Sequence, residues 1–112
     1  MLARSNRIVE GDQLRLVSRR GERFRSPFFS VAVMTTTSDS PARFGFITSK
    51  QVGGAVRRNL IKRRLRALAA ETLVAHPWGF DAVVRAHPEA NGASFADLAA
   101  QWRQMESKLV TP

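Results

Sequence analysis

SKQVGGAVRRNLIKRRLRAL, residues Ser49 to Leu68, sets two glycines before a run holding Arg57, Arg58, Lys62, Arg63, Arg64 and Arg66, with no acid before Glu71. The Gly53-Gly54 pair breaks the chain, and about Ala55 to Val74 reads as a helix. His76-Pro77-Trp78-Gly79 ends it, since proline cannot continue a helix and glycine favours a stop. On a wheel of about 100° per residue, Ile61, Leu65, Leu68 and Thr72 share the side that docks on a sheet. Arg58, Lys62 and Arg66 recur four residues apart as a second stripe, with Asn59 and Arg63 alongside. Arg57 and Arg64 lie on the far side of the apolar face. The helix can bury one stripe and present the other.

A helix that only had to fold would intersperse acids, because Glu–Lys pairs four residues apart help it and like-charge pairs hurt it. Most charge runs are solvated faces, but this clustering without compensating acid is the footprint of a surface for a polyanion. Asn59 adds a group that both donates and accepts, suited to phosphate, sugar or a base edge. The glycine pair has two readings. It lets backbone N–H groups and Lys50 approach an anion at the helix N-terminus, or it makes a tight turn needing positive φ. It is neither a P-loop nor a GxGxxG motif.

Outward from this helix, Phe28 to Met34 (FFSVAVM) reads as a strand, TTTSDSPAR as a hairpin loop, and Phe44 to Thr48 as the hairpin's second strand. FDAVVRA is a further, nearly all-apolar strand. Asp12 to Val17 fits a short helix ending before Gly21, and SRRGERFRSP reads as a basic turn closed by Pro27. In the last helix Ser94 is the N-cap, with Asp97 three residues on, close to a capping box. Phe95, Leu98, Trp102, Met105 and Leu109 form its apolar stripe, which packs on the sheet.

The 112 residues suit one RNA-binding domain, with 1–10 and 110–112 free to be flexible. Hydrophobic content of 44% and charged content of 24% exclude a disordered chain. The imbalance of 18 Lys+Arg against 9 Asp+Glu, net +9, calls for nucleic acid first and an anionic membrane second. Absence of cysteine excludes disulfides and thiolate metal sites. The charged start MLARSNRIVEGD does not fit a signal peptide, and no window approaches the ~18 apolar residues of a membrane span, so a cytoplasmic location is expected. His76 and His87 each precede a proline, and no Asp/Glu cluster suggests a two-metal site. The chain reads as a binder, with no catalytic or metal-ligating residue of its own.

These residues resemble the bacterial ribonuclease P protein family. The match is Gly45-Phe46, Ser49-Lys50, Val52-Gly53, Ala55-Val56, Arg58-Asn59, Lys62-Arg63 and Arg66, with Leu14, Val17, Gly21, Arg23 and Phe24 upstream and DAVVRA downstream. Leu60 stands where the family motif has a third-position arginine, and Leu14 where it commonly has phenylalanine. The resemblance implies a two-layer α/β (α+β) sandwich: a mixed sheet of about four strands, a basic crossover helix between parallel strands, and a packed C-terminal helix. It implies a left-handed crossover, against the right-handed form general in about 98% of such units.

By the same resemblance the chain is the non-catalytic protein subunit of an endoribonuclease, and the RNA subunit performs the magnesium-dependent removal of the 5′ leader from precursor tRNA. No cofactor is expected on the protein alone. Its partners would be the catalytic RNA and the leader, with one protein copy per ribonucleoprotein and no membrane. Lys50, Arg57, Arg58, Asn59, Lys62, Arg63 and Arg66 would bind RNA, while Leu14, Val17, Phe29 and Phe46 would line the leader cleft between the sheet and the first helix. The alternatives are a structural RNA-binding protein, such as a small ribosomal component, and a membrane-surface helix, which the short apolar stripe disfavours.

Overall fold

The computed structural model describes residues 2–109. Its elements run α1 (Gly11–Arg20), β1 (Glu22–Arg25), β2 (Phe29–Thr35), β3 (Arg43–Ile47), α2 (Ala55–Ala75), β4 (Phe80–Ala86) and α3 (Phe95–Leu109). Short 3-10 turns occupy Arg4–Asn6, Lys50–Val52 and Pro88–Gly92. The strands form one mixed sheet in the order β1-β2-β4-β3. β2 is antiparallel to both β1 and β4, and β3 runs parallel to β4, so α2 is the crossover between parallel strands.

Two local expectations are corrected. The runs around Phe29 and Phe44 do not pair as a hairpin, because β4 lies between them, with Phe29 opposite Ala86 and Phe44 opposite Ala82. A strand buried at six of its seven positions, as β4 is, gains most at the centre of a sheet covered on both faces. The hairpin is β1–β2 instead, so the basic stretch expected to be a turn contains a strand. Its arginines sit on an edge strand, where long charged side chains discourage pairing with another chain. The reversal is made by Ser26, whose Oγ accepts the N–H groups of Phe28 and Phe29, each at 3.2 Å.

Alternation along the strands sends successive side chains to opposite faces. On one face Phe29, Val31, Phe44, Ala82 and Val84 meet Ile61, Leu65 and Leu68 of α2 and Leu98, Trp102 and Met105 of α3. Trp102 lies 5.7 Å from Phe29 and 5.8 Å from Phe44, ring centre to centre. Thr72 belongs to this face because its Oγ1 accepts the Trp102 indole N–H at 2.8 Å and its hydroxyl donates to Glu106. On the other face Ala32 and Val83 meet Val17 of α1 and Ile8.

The capping box forms as expected, Asp97 N–H donating to Ser94 Oγ and Ser94 N–H to Asp97 Oδ2, both at 3.0 Å. Phe95 leaves the predicted stripe: as the first residue of α3 it precedes the turn that packs, and it is exposed. The Leu109 side chain and residues 110–112 lie outside the described residues. Within residues 2–10, which the sequence left open to flexibility, Leu2 and Ile8 are buried, Ile8 N–H donates to Phe44 O at 3.0 Å, and Asn6 Nδ2 donates to Ala42 O at 2.8 Å. Gly53 has φ of 150°, so the strand-to-helix turn does need one glycine, whereas Gly54 has an ordinary φ of −69°.

Candidate nucleic-acid interface

α2 divides its cations between two duties. Arg57 Nε donates to Asn91 Oδ1 at 2.6 Å, and Arg64 donates to the Ala93 carbonyl at 3.2 Å. These two therefore latch α2 to the segment that leads into α3, and Arg57 does not belong to the free RNA-binding set expected from the sequence. Neutral oxygens serve as their partners, which is why no acid was needed nearby.

The other duty falls to Arg58, Lys62 and Arg66, with Asn59 and Arg63 beside them. Arg63, Arg66 and Asn59 are exposed, while Arg58 and Lys62 are half-buried. Among the described residues ion pairs join only Arg15 to Asp12 and Arg43 to Glu10 and Asp81, so no carboxylate neutralises this stripe. Arg58 Nε is shielded from solvent and has no hydrogen-bond partner. The Arg66 guanidinium lies over the Phe46 ring, 5.9 Å from its centre. Lys50, exposed on the 3-10 turn before Gly53, extends the cationic surface past the start of the helix, and no side chain caps α2. Leu60, in the position of the family's arginine, is half-buried and adds no charge.

The expected leader-cleft set is split by strand parity. Phe29 is fully buried against Trp102, and Phe46 lies under Arg66, both on the α2 side of the sheet. Val17, on α1, is fully buried against Ala32 and Val83 of the sheet. Only Leu14 is on the α1 side and partly accessible, packed so closely over Gly45 that a Cβ there would come within 2.2 Å of its Cδ2. The residues that line this side are instead Arg25, Ser30, Arg85 and Ile47, aligned across all four strands by register. Arg25 and Arg85 are exposed. The signal was present in the sequence: Ser30 and Arg85 interrupt apolar runs at the alternate positions that must face away from the aromatic core.

One polar cluster fixes α1 over this face. Arg43 grips Asp81 with two hydrogen bonds, Nε to Oδ1 at 3.0 Å and NH2 to Oδ2 at 2.8 Å, and reaches Glu10 just before α1 at 3.2 Å. Gln13 of α1 donates to the same Asp81 Oδ2 at 2.8 Å. Asp81 is 1% exposed and paired on three sides. Its hydrogen bond raises the Arg43 pKa above the ordinary arginine value, against the opposing effect of burial.

A mixed sheet that carries an unneutralised cationic helix stripe on one side and an arginine row on the other defines a small nucleic-acid-binding α+β protein. Among the described residues no cluster of three or more His, Asp or Glu could hold a metal ion, and no helix is long and apolar enough to cross a membrane. The family model described as Ribonuclease P matches residues 2–110, and the chain belongs to that family. It is accordingly a protein component of the endoribonuclease that matures the 5′ ends of tRNA.

Among its relatives, the ribonuclease P protein component of Clavibacter michiganensis is 46% identical over 88 residues, covering 79% of this chain and 78% of the relative. That of Acidothermus cellulolyticus is 39% identical over 110 residues, covering 97% and 92%. The solved RNase P protein from Thermotoga maritima superposes with a TM-score of 0.79 at 22% identity, covering 91% of this chain and 96% of that one, which shows the shared fold.

Proposed function

We propose that the two charged surfaces divide the work of the ribonucleoprotein. The α2 stripe of Arg58, Lys62, Arg63 and Arg66, with Asn59 and Lys50, binds the RNA subunit. The α1-side row of Arg25, Ser30 and Arg85, with Leu14 at its border, takes the single-stranded 5′ leader of precursor tRNA. Cations that meet phosphate release condensed counterions, which gives both contacts a salt-dependent affinity. The observation that carries the reading is the stripe itself: exposed or half-exposed cations without one internal carboxylate, and a buried Arg58 donor without an acceptor.

Hydrolysis and its Mg²⁺ belong to the RNA in this reading. Four carboxylates are engaged within the chain: Asp81 and Glu10 hold Arg43, Asp12 holds Arg15, and Glu106 accepts from Thr72. The protein acts as one copy per particle, in the cytoplasm, by binding and positioning. Cleavage of precursor tRNA by the RNA subunit at low magnesium, with and without this chain, tests the proposal. The chain should raise the rate on leader-bearing substrate. Unchanged cleavage would leave a purely structural RNA-binding role.

A further inference from the structure

We infer a third RNA contact, for one unpaired nucleotide, in the depression around Trp78 at the far end of α2. The inference rests on the RNA-binding reading above and adds a site to it. Trp78 is 56% exposed, although burial of an indole is among the larger gains open to a fold. Its exposure does not come from a loose loop. Ala42 N–H donates to Pro77 O, Gly79 N–H to Ser40 O and Thr36 N–H to Gly79 O, each at 2.9 Å, so the turn is tied at both ends. Gly79, at φ of 91°, makes the bend that turns the chain from Trp78 into β4.

The indole lines a depression of about 850 Å³ together with Arg20, Arg23, Phe24, His76 and Lys108. Arg20 is exposed and has no internal partner, and the Lys108 ammonium lies 5.2 Å from the centre of the Phe24 ring. Glu22 is the one carboxylate in the lining, so cations prevail there. An exposed indole beside cations that, among the described residues, no carboxylate neutralises matches a nucleotide on two counts: the ring stacks on a base of any sequence, and the cations meet its phosphate. The depression stands three residues past the end of α2, whereas Arg58 is in its first turn. At 1.5 Å per residue the two are separated by roughly 26 Å along the helix. An RNA that engaged both would be gripped at two points, which fixes its direction along α2 as well as its affinity.

The chain has two tryptophans, and Trp102 is buried, so emission separates the proposed site from the core. The test titrates the full-length chain with a ten-nucleotide oligoadenylate and, separately, with inorganic polyphosphate of similar charge. Oligoadenylate should quench wild-type emission and leave W78F unchanged, W78A should bind it about tenfold more weakly, and polyphosphate should bind without quenching. Equal affinity of W78A and wild type, or unchanged emission at saturation, overturns the inference. An emission shift that follows protein concentration alone also overturns it, because it assigns the patch to a second copy of this chain. Titration of the doubly substituted K62A/R66A protein keeps the two readings apart. An unchanged salt slope there sinks the α2 stripe, while the Trp78 site is judged only by its own variants.

Discussion

The two faces of the sheet bury the same kind of strand residue under different covers. The α2/α3 face carries Phe29, Phe44 and Phe80 against Trp102, and Phe44 meets Phe80 edge-on with ring centres 5.6 Å apart. The α1 face is lined by smaller groups, Ala32 and Val83, and one short helix covers part of it. What holds that helix down is polar: Asp81, Arg43, Gln13 and Glu10. A face closed by aromatics is stable, and what it offers a ligand lies outside the packed rings, on the α2 stripe and at the margin around Trp78. A face closed by a short helix on an ionic clamp leaves strand ends uncovered, and there Arg25 and Arg85 lie. The densest packing thus lies on one side of the strand layer, and the strand side chains left open lie on the other.

The largest effect should come from breaking the aromatic side. Phe44→Ala removes a ring that touches Phe46, Phe80 and Trp102 and should cost about 3–5 kcal/mol. Denaturant unfolding measures it. A loss below about 1 kcal/mol would mean that this face is not where the stability resides.

Breaking the clamp should cost less and act locally. Arg43→Ala leaves a buried carboxylate with only Gln13. Removing one partner of a fully buried pair costs about 3–5 kcal/mol; with the Arg43 side chain 29% exposed, about 2–3 kcal/mol is expected. Hydrogen exchange should show α1 amides losing protection before those of α2. The pH dependence follows in sign from the raised Arg43 pKa. A group whose folded pKa is raised contributes fully below its unfolded value and loses that contribution only as pH climbs past it. For an arginine that window lies in strong alkali, so the clamp's arginine term should be constant through neutral pH. Stability that changed near neutrality in wild type but not in Arg43→Ala would contradict this.

The contrast between the faces also marks what the sequence made legible. Helix periodicity revealed α2 and its two stripes, because a 3.6-residue repeat is written within one element: Ile61, Leu65, Leu68 and Thr72 are all buried. The capping box of Ser94 and Asp97 was equally local. Strand order was not local. Nothing in FFSVAVM or FGFIT says that β4 will come between them, and that depends on which strand is apolar on both faces. The side taken by two of the four cleft residues was hidden for the same reason. Phe29 and Phe46 were chosen for their rings, but their parity with Val31 and Phe44 sends them to the α2 side. The latch of Arg57 was hidden because its partner, Asn91, is distant in sequence and uncharged.

The smallest effect sharpens the division of labour. Arg85→Ala alters an exposed side chain and should change stability by less than about 0.5 kcal/mol. It should nevertheless lower the salt slope of leader binding by about 0.7 log units, as expected for one phosphate contact with a single strand. The loss should appear with leader-bearing precursor and vanish with mature tRNA, because in the proposed division only the former places RNA on the α1 side. Lys62→Ala should instead weaken assembly with the RNA subunit and leave the preference for precursor over mature tRNA unchanged. If Arg85→Ala and Lys62→Ala behaved alike, the two faces would serve one continuous surface, and the leader would have to cross the sheet edge at Ile47 and Lys50 to reach both.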